Sequence, residues 1–222
     1  MDLVQALEQN GHAQFSPQLS TQLLSSLREA AFAAGEAGTR CLLDLPDVSA
    51  ASLALKEALT QRGILPARAI AIQAIAFDKT PDANWKVTWH QDVMFPFARA
   101  VTNPDYSLPS IKEGVDYARP PQHVLTEMLA VRLHLDECDE TNGPLRVASG
   151  SHKSGVIKSS EIATALTRYP EVVCLAKLGD AILMRPLLLH ASSRAIVAKR
   201  RRVLHVVYHS RSQITEQWHR SI

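Results

Sequence analysis

From Ile64 to about Ser210 the chain is a succession of short apolar runs: "ARAIAIQAIAF", "WKVTWHQDVMF", "LAVRLHLDEC", "GPLRVASGSH", "EVVCLAKLGDAILM" and "RRVLHVVYHS". They are rich in β-branched residues, and the first alternates as a half-buried strand should. Turn signals separate them, at Asp78–Asn84, Thr141-Asn142-Gly143-Pro144 and Gly179-Asp180. Such a series predicts a mainly β fold, a sandwich or jelly roll.

The first sixty-odd residues follow a different period. "SPQLSTQLLSSLREAAFAAGEAG" places Leu19, Leu23, Leu24, Leu27 and Ala31 at helical spacing. "DVSAASLALKEALTQRG" repeats the design with Leu53, Leu55 and Leu59, and Gly63 is its expected C-cap. These stripes read as core-facing. The expected organisation is one domain over 1–222, with a helical support over 1–63 packed outside a β core over 64–210. Two stretches interrupt the strands: the long polar segment Ala98–Gln122, expected to be a loop acting as a lid or selecting the substrate, and "SGVIKSSEIATALTRYP", with room for a helical turn or two.

Composition narrows the classes. A hydrophobic share of 46% supports a packed core, and a net charge of +2 gives no field that would draw nucleic acid or an anionic membrane. The one dense basic run, Lys199-Arg200-Arg201-Arg202, has a solvated strand end as its plain reading. Three cysteines (Cys41, Cys138 and Cys174) without CxxC spacing suit reduced thiols, and with no signal-like start or membrane-length apolar run the expected compartment is the cytoplasm.

Within "VTWHQDVMFPF", His90 and Asp92 stand two residues apart in apolar company. Residues i and i+2 of a strand project from one face, so the pair would point together and Gln91 away. A buried carboxylate is costly unless it is paired or binds a metal. Far downstream "GDAILMRPLLLHASS" ends an apolar strand with His190. Two histidines and a carboxylate on one side of an ion leave its other positions open, the arrangement of non-haem Fe(II) oxygenases. His123, His152, His209 and His219 are expected in loops or near the end, explained by solvation.

An oxygenase of this kind needs an anionic co-substrate, which a guanidinium is suited to hold. Strand parity sorts the arginines that follow His190. Arg201 shares a face with Val203, His205 and Val207, whereas Arg200 and Arg202 share the other with Leu204, Val206 and Tyr208. Parity leaves open which face is inside. If it is Arg201's, His205 would line the substrate end of the pocket.

Taken together, His90–Asp92, "DECDETNGPLRVASGSHKSG" and "GDAILMRPLLLHASS…RRRVLHVVY" resemble the phytanoyl-CoA dioxygenase family of Fe(II)- and 2-oxoglutarate-dependent oxygenases. The resemblance covers roughly 64–210. It implies a double-stranded β-helix, a cupin-like relative of the jelly roll. It also implies iron ligation by His90, Asp92 and His190. Arg201 and Ser192 would hold the distal carboxylate of 2-oxoglutarate, with Arg132 beside the co-substrate and Gln73 in the pocket. The implied reaction consumes O2, releases succinate and CO2, and hydroxylates a small-molecule substrate; a carboxylate at Asp92 speaks against halogenation. Two other classes fit the strands alone: a cupin-like isomerase or lyase without 2-oxoglutarate, and a non-catalytic ligand-binding jelly roll.

Overall fold

The computed structural model describes residues 2–33, 37–197, 199–210 and 214–222. The chain order is α1 (Leu3–Gln9), β1 (His12–Phe15), α2 (Thr21–Ala30), β2 (Gly38–Thr39), α3 (Pro46–Gln61), β3 (Ile70–Lys79), β4 (Val87–His90), β5 (Phe95–Phe97) and β6 (Ser107–Lys112). It continues with β7 (Val115–Arg119), α4 (Gln122–Thr126), β8 (Met128–His134), β9 (Leu145–Ala148), α5 (Ile162–Leu166), β10 (Glu171–Cys174), β11 (Ala181–Met184), β12 (His190–Ser192) and β13 (Arg201–His209).

A six-stranded sheet runs β1-β11-β8-β13-β3-β2, a four-stranded sheet runs β10-β9-β12-β4, and β5-β7-β6 form a third, smaller one. Every ladder is antiparallel. This is the double-stranded β-helix that the family resemblance implies, a relative of the jelly roll expected from the strand series, with helices on the outside.

The larger sheet is covered on both faces, and the side chains divide accordingly. Leu204, Val206 and Tyr208 of β13, Leu129, Val131 and Leu133 of β8, and Ala71, Ala74 and Ala76 of β3 pack with Leu24, Leu27, Val48, Ala51, Leu55 and Leu59 of the helices. Alanines on β3 leave room for the helices to approach, and Tyr208 donates its hydroxyl to the Ser52 carbonyl at 2.7 Å. Each fully buried leucine in this layer contributes roughly 1.5–3 kcal/mol. The opposite parity of the same strands carries Gln73, Ile75, Phe77, Lys79, Arg132, Arg201 and His205 to the interior cavity. A bulge opposite Val207/Tyr208 shifts the register by one residue and lets Ile72 and Gln73 both turn inward.

Several expectations need correction. The first 63 residues are not wholly helical: β1 and β2 belong to the six-stranded sheet, on β11 and β3. Leu53, assigned to the buried stripe, is 50% exposed. Ala98–Gln122 is largely a hairpin, β6 and β7 joined by Glu113-Gly114, both at positive φ as a two-residue turn requires. His209 is fully buried on β13 rather than solvated. The basic run is no free strand end either. Arg200 pairs with buried Asp78 at 2.6 Å, Arg202 grips Asp136 through two nitrogens at 2.8 Å, and Lys199 reaches Asp139 at 3.3 Å.

Candidate active site

Strand pairing itself brings the two histidines together. β4 and β12 are neighbours with His90 opposite His190, and the imidazole centroids lie 4.2 Å apart. Asp92 follows just past the end of β4, where its N–H donates to the Pro186 carbonyl at 2.9 Å. Gln91 points away, as period two demands, and ties the chain to Gly155 and Ile157 at 2.8 Å. The Asp92 oxygens lie 3.6 Å from His90 Nε2 and 3.5 Å from His190 Nε2. One donor atom from each residue falls within 4.8 Å of the others, a set that one ion can bridge.

The imidazoles are prepared for that use. His90 Nδ1 lies 2.8 Å from the Thr88 carbonyl and His190 Nδ1 2.9 Å from the Leu188 carbonyl. A carbonyl only accepts, so each Nδ1 carries the proton and each Nε2 presents a lone pair toward Asp92. Burial pushes His190 down to about 4, against the pull of Asp92, and keeps it neutral. Burial alone would raise Asp92, but the surrounding imidazoles of His190, His90 and His205 outweigh it and hold the carboxyl ionised, well below its usual range. Burial lowers His90, but its contact with Asp92 outweighs this and raises it. Two imidazole nitrogens and one carboxylate suit a divalent cation, which would take the place of the proton that Asp92 favours on His90.

A cavity of about 360 Å³ adjoins this cluster. Its deep end is built from Arg201, Lys79 and Ser192, which are 2%, 1% and 5% exposed. Arg201 opens β13 directly opposite Lys79 at the end of β3. Since Arg200 and Arg202 are spent on carboxylates of the other face, the inward guanidinium is Arg201, and parity is resolved. Its Nε and Nη1 have no partner among the described residues. A buried guanidinium left so is costly, and an incoming carboxylate would satisfy it. Lys79 Nζ donates to the Ser193 carbonyl at 2.5 Å and to Ser192 Oγ at 3.3 Å. Burial, reinforced by neighbouring Arg201, lowers it to about 8.

The remaining sequence candidates reach the same cavity. Arg132 is buried on β8, its Nη1 3.3 Å from His205 Nδ1 and its guanidinium 5.3 Å above the Phe77 ring. A guanidinium only donates, so His205 Nδ1 accepts and its Nε2–H faces Asp92 Oδ2, 3.7 Å away. Burial drives His205 down to about 3 and keeps it neutral. His205 therefore lines the cavity beside Asp92. Gln73 lines the cavity and bonds the Tyr117 hydroxyl.

Sequence reasoning missed Lys79, Tyr117, Lys112 and Arg40, all of which line the cavity. The signal for Lys79 was the parity of Gln73, Ile75 and Phe77, but Asp78 and Lys79 look like the start of a turn. The strand continues because Arg200 covers Asp78 and the cavity takes Lys79.

Over residues 36–203 the chain matches the family described as phytanoyl-CoA dioxygenase (PhyH), a stretch that includes every residue of the cluster and of the deep end. Among curated proteins no significant match is found. Solved structures share the fold. AviO1 from Streptomyces viridochromogenes Tue57 is 16% identical with a TM-score of 0.69, covering 96% of both chains. EctD from S. alaskensis with 2-oxoglutarate and 5-hydroxyectoine is 19% identical at 0.68, covering 93% of this chain and 74% of its own. SnoK, a non-heme alpha ketoglutarate dependent carbocyclase from nogalamycin biosynthesis, is 14% identical at 0.67, covering 93% and 82%.

Proposed function

Because this chain belongs to the phytanoyl-CoA dioxygenase family, we propose that it is an Fe(II)- and 2-oxoglutarate-dependent dioxygenase that hydroxylates a C–H bond of a small molecule. The observation that carries the reading is the pairing of two features in one cavity. His90, neutral His190 and ionised Asp92 converge with one donor atom each within 4.8 Å of the others, and two nitrogens of the buried Arg201 guanidinium have no partner among the described residues. His90, Asp92 and His190 would hold the ferrous ion on one side and leave its remaining positions to ligands. Arg201 would take the far carboxylate of 2-oxoglutarate, with Ser192 and Lys79 as further donors to it. Iron bound with 2-oxoglutarate supplies the activation of O2 that C–H oxidation requires, releasing succinate and CO2.

The protein contributes placement and environment. The Thr88 and Leu188 carbonyls fix the imidazole tautomers, while His205 faces Asp92 Oδ2, the oxygen that also lies beside His190, and restrains its rotation. Phe77 and Ile75 give the cavity apolar wall, which keeps water from the reacting atoms. An isomerase or lyase that uses no 2-oxoglutarate would leave Arg201 and Lys79 without an occupant. The EctD structures with 2-oxoglutarate and with Fe offer a parallel for both proposed occupants. Ring closure and epimerisation, the activities given for SnoK and SnoN, are the alternative outcomes for the same oxidising site.

The test is succinate release under O2, with Fe(II) and 2-oxoglutarate supplied and a library of small molecules added. Iron-dependent succinate above the no-iron control, stimulated by some library members, is the expected result. Turnover of a library member without any 2-oxoglutarate would favour the isomerase or lyase class instead.

A further inference from the structure

The cavity wall carries five cationic side chains, Arg40, Lys79, Lys112, Arg132 and Arg201, and one carboxylate, Asp92. On the reading above, the two charges of a ferrous ion and the two of 2-oxoglutarate offset each other. Asp92 offsets one wall cation, and Glu113 offsets Arg40 through a 2.5 Å contact. Three positive charges then remain in excess around the cavity, whose Arg201, Lys79 and Arg132 are buried. Uncompensated charge of one sign in a low-dielectric cleft costs stability unless a ligand of the opposite sign removes it.

Lys112 is where the excess faces the substrate. It is the last residue of β6, at the tip of a hairpin whose next residues form the two-residue turn. The rest of β6 from Leu108 to Ile111 is exposed, but Lys112 turns in, with Nζ 5.0 Å from the centroid of Tyr117. Among the described residues no carboxylate pairs with it. Burial and Arg40 both press its pKa down, while the charge of Asp92 reaches it from within the cavity. Lys112 thus turns toward the cavity although the positive charge of Arg40 lies beside it. Arg201, Lys79 and Ser192 are buried in the cavity wall, whereas Arg40 and Lys112, which line the same cavity, are half-exposed.

We propose that the substrate is a small molecule bearing a carboxylate or phosphate, held by Lys112 and Arg40 at the cavity mouth so that its uncharged part extends toward the metal cluster. Gln73 and Tyr117, hydrogen-bonded to each other beside Lys112, supply the neutral polar contacts next to that anion. This rests on the oxygenase reading, because on it the far carboxylate of the co-substrate occupies Arg201 and Lys79 and leaves Lys112 to the substrate.

The experiment uses the protein loaded with Fe(II) and 2-oxoglutarate under anaerobic conditions, where binding is read without turnover. A panel of matched small molecules is titrated by ligand-observed NMR: carboxylic acids against their primary amides, and phosphate monoesters against the parent alcohols. We expect the anionic member of a pair to bind about tenfold more tightly or better, as charge-assisted contacts allow. The acid and phosphate arms tell which anion is preferred. In Lys112→Met the preference is expected to collapse, and in Lys112→Arg to survive. Equal binding of charged and neutral partners overturns the proposal, as does absence of binding by every anion at millimolar concentration or a preference unchanged in Lys112→Met. Failure of the oxygenase reading shows separately in the wild type, as absence of iron-dependent 2-oxoglutarate binding before any panel member is added.

Discussion

His205 illustrates how much of this site is decided by single hydrogen bonds. Its period-two relation to Arg201 was legible in the sequence, but its partners were not, because they come from β8 and from the turn after β4. Arg132 fixes its tautomer and directs Nε2–H at Asp92. Outer groups that orient a metal ligand typically change metal affinity by roughly 10–100-fold when removed. His205→Phe keeps a ring beside Phe77, with which His205 makes an edge contact at 6.0 Å, but loses the hydrogen bond to Arg132 and the polar contact with Asp92. We expect its Fe(II) affinity, measured by competition with a chelator, to fall about tenfold or more. Intact affinity combined with lost substrate turnover would place His205 at the substrate instead. The cluster of His90, Asp92 and His190 was legible because a His-x-Asp pair and a strand-ending histidine are local patterns. Lys79 and Lys112 were not, since a lysine beside a turn looks solvated until the cavity behind it is known.

At the level of elements, the turn between β8 and β9 ties the scaffold to the anion-binding end. Gly143 there has φ +73°, and a Cβ added to it would stand 2.6 Å from the Ser193 carbonyl oxygen and 3.1 Å from Lys79 Nζ. The "NGPL" segment thus needs its glycine both for a left-handed backbone and for close approach to the chain that follows β12. Gly143→Ala is expected to destabilise the protein by about 1–3 kcal/mol in urea unfolding, and to raise the KM for 2-oxoglutarate by displacing Lys79. A stability and KM like those of the wild type would show that the close approach relaxes without cost. The hairpin β6–β7 shows the opposite limit of sequence reading. Its residues are polar and proline-bearing, and they read as a loop because its strand character comes from pairing with β5 rather than from apolar alternation.

Across the whole molecule, the cost of this interior appears as pH sensitivity. His134 on β8 is fully buried, neither ring nitrogen has a partner among the described residues, and burial together with Arg132 and Arg201 lowers it to about 3. Its folded pKa is below its unfolded value, so between about pH 6.5 and 3 the unfolded chain binds the extra proton and stability falls as pH falls. From pH 7 to pH 5 this single group costs about 2 kcal/mol. His134→Phe, which cannot be protonated, should lose about that much less between the two pH values in urea unfolding of the metal-free protein. Equal losses in both proteins would place the acid sensitivity in other groups. The gross architecture was legible because strand period and turn chemistry are short-range. The contribution of β1 and β2 to the large sheet was not, because both are brief edge pieces completed by distant partners.

The account stands on an ion held by His90, Asp92 and His190 beside a carboxylate held by Arg201. Anaerobic calorimetry of 2-oxoglutarate binding to the protein with and without Fe(II) measures both at once. We expect one co-substrate bound per chain only when iron is present, loss of that iron-dependent binding in Asp92→Ala, and weakening by roughly 10–100-fold in Arg201→Met. Binding of 2-oxoglutarate that ignores iron, or that survives both substitutions, would contradict it.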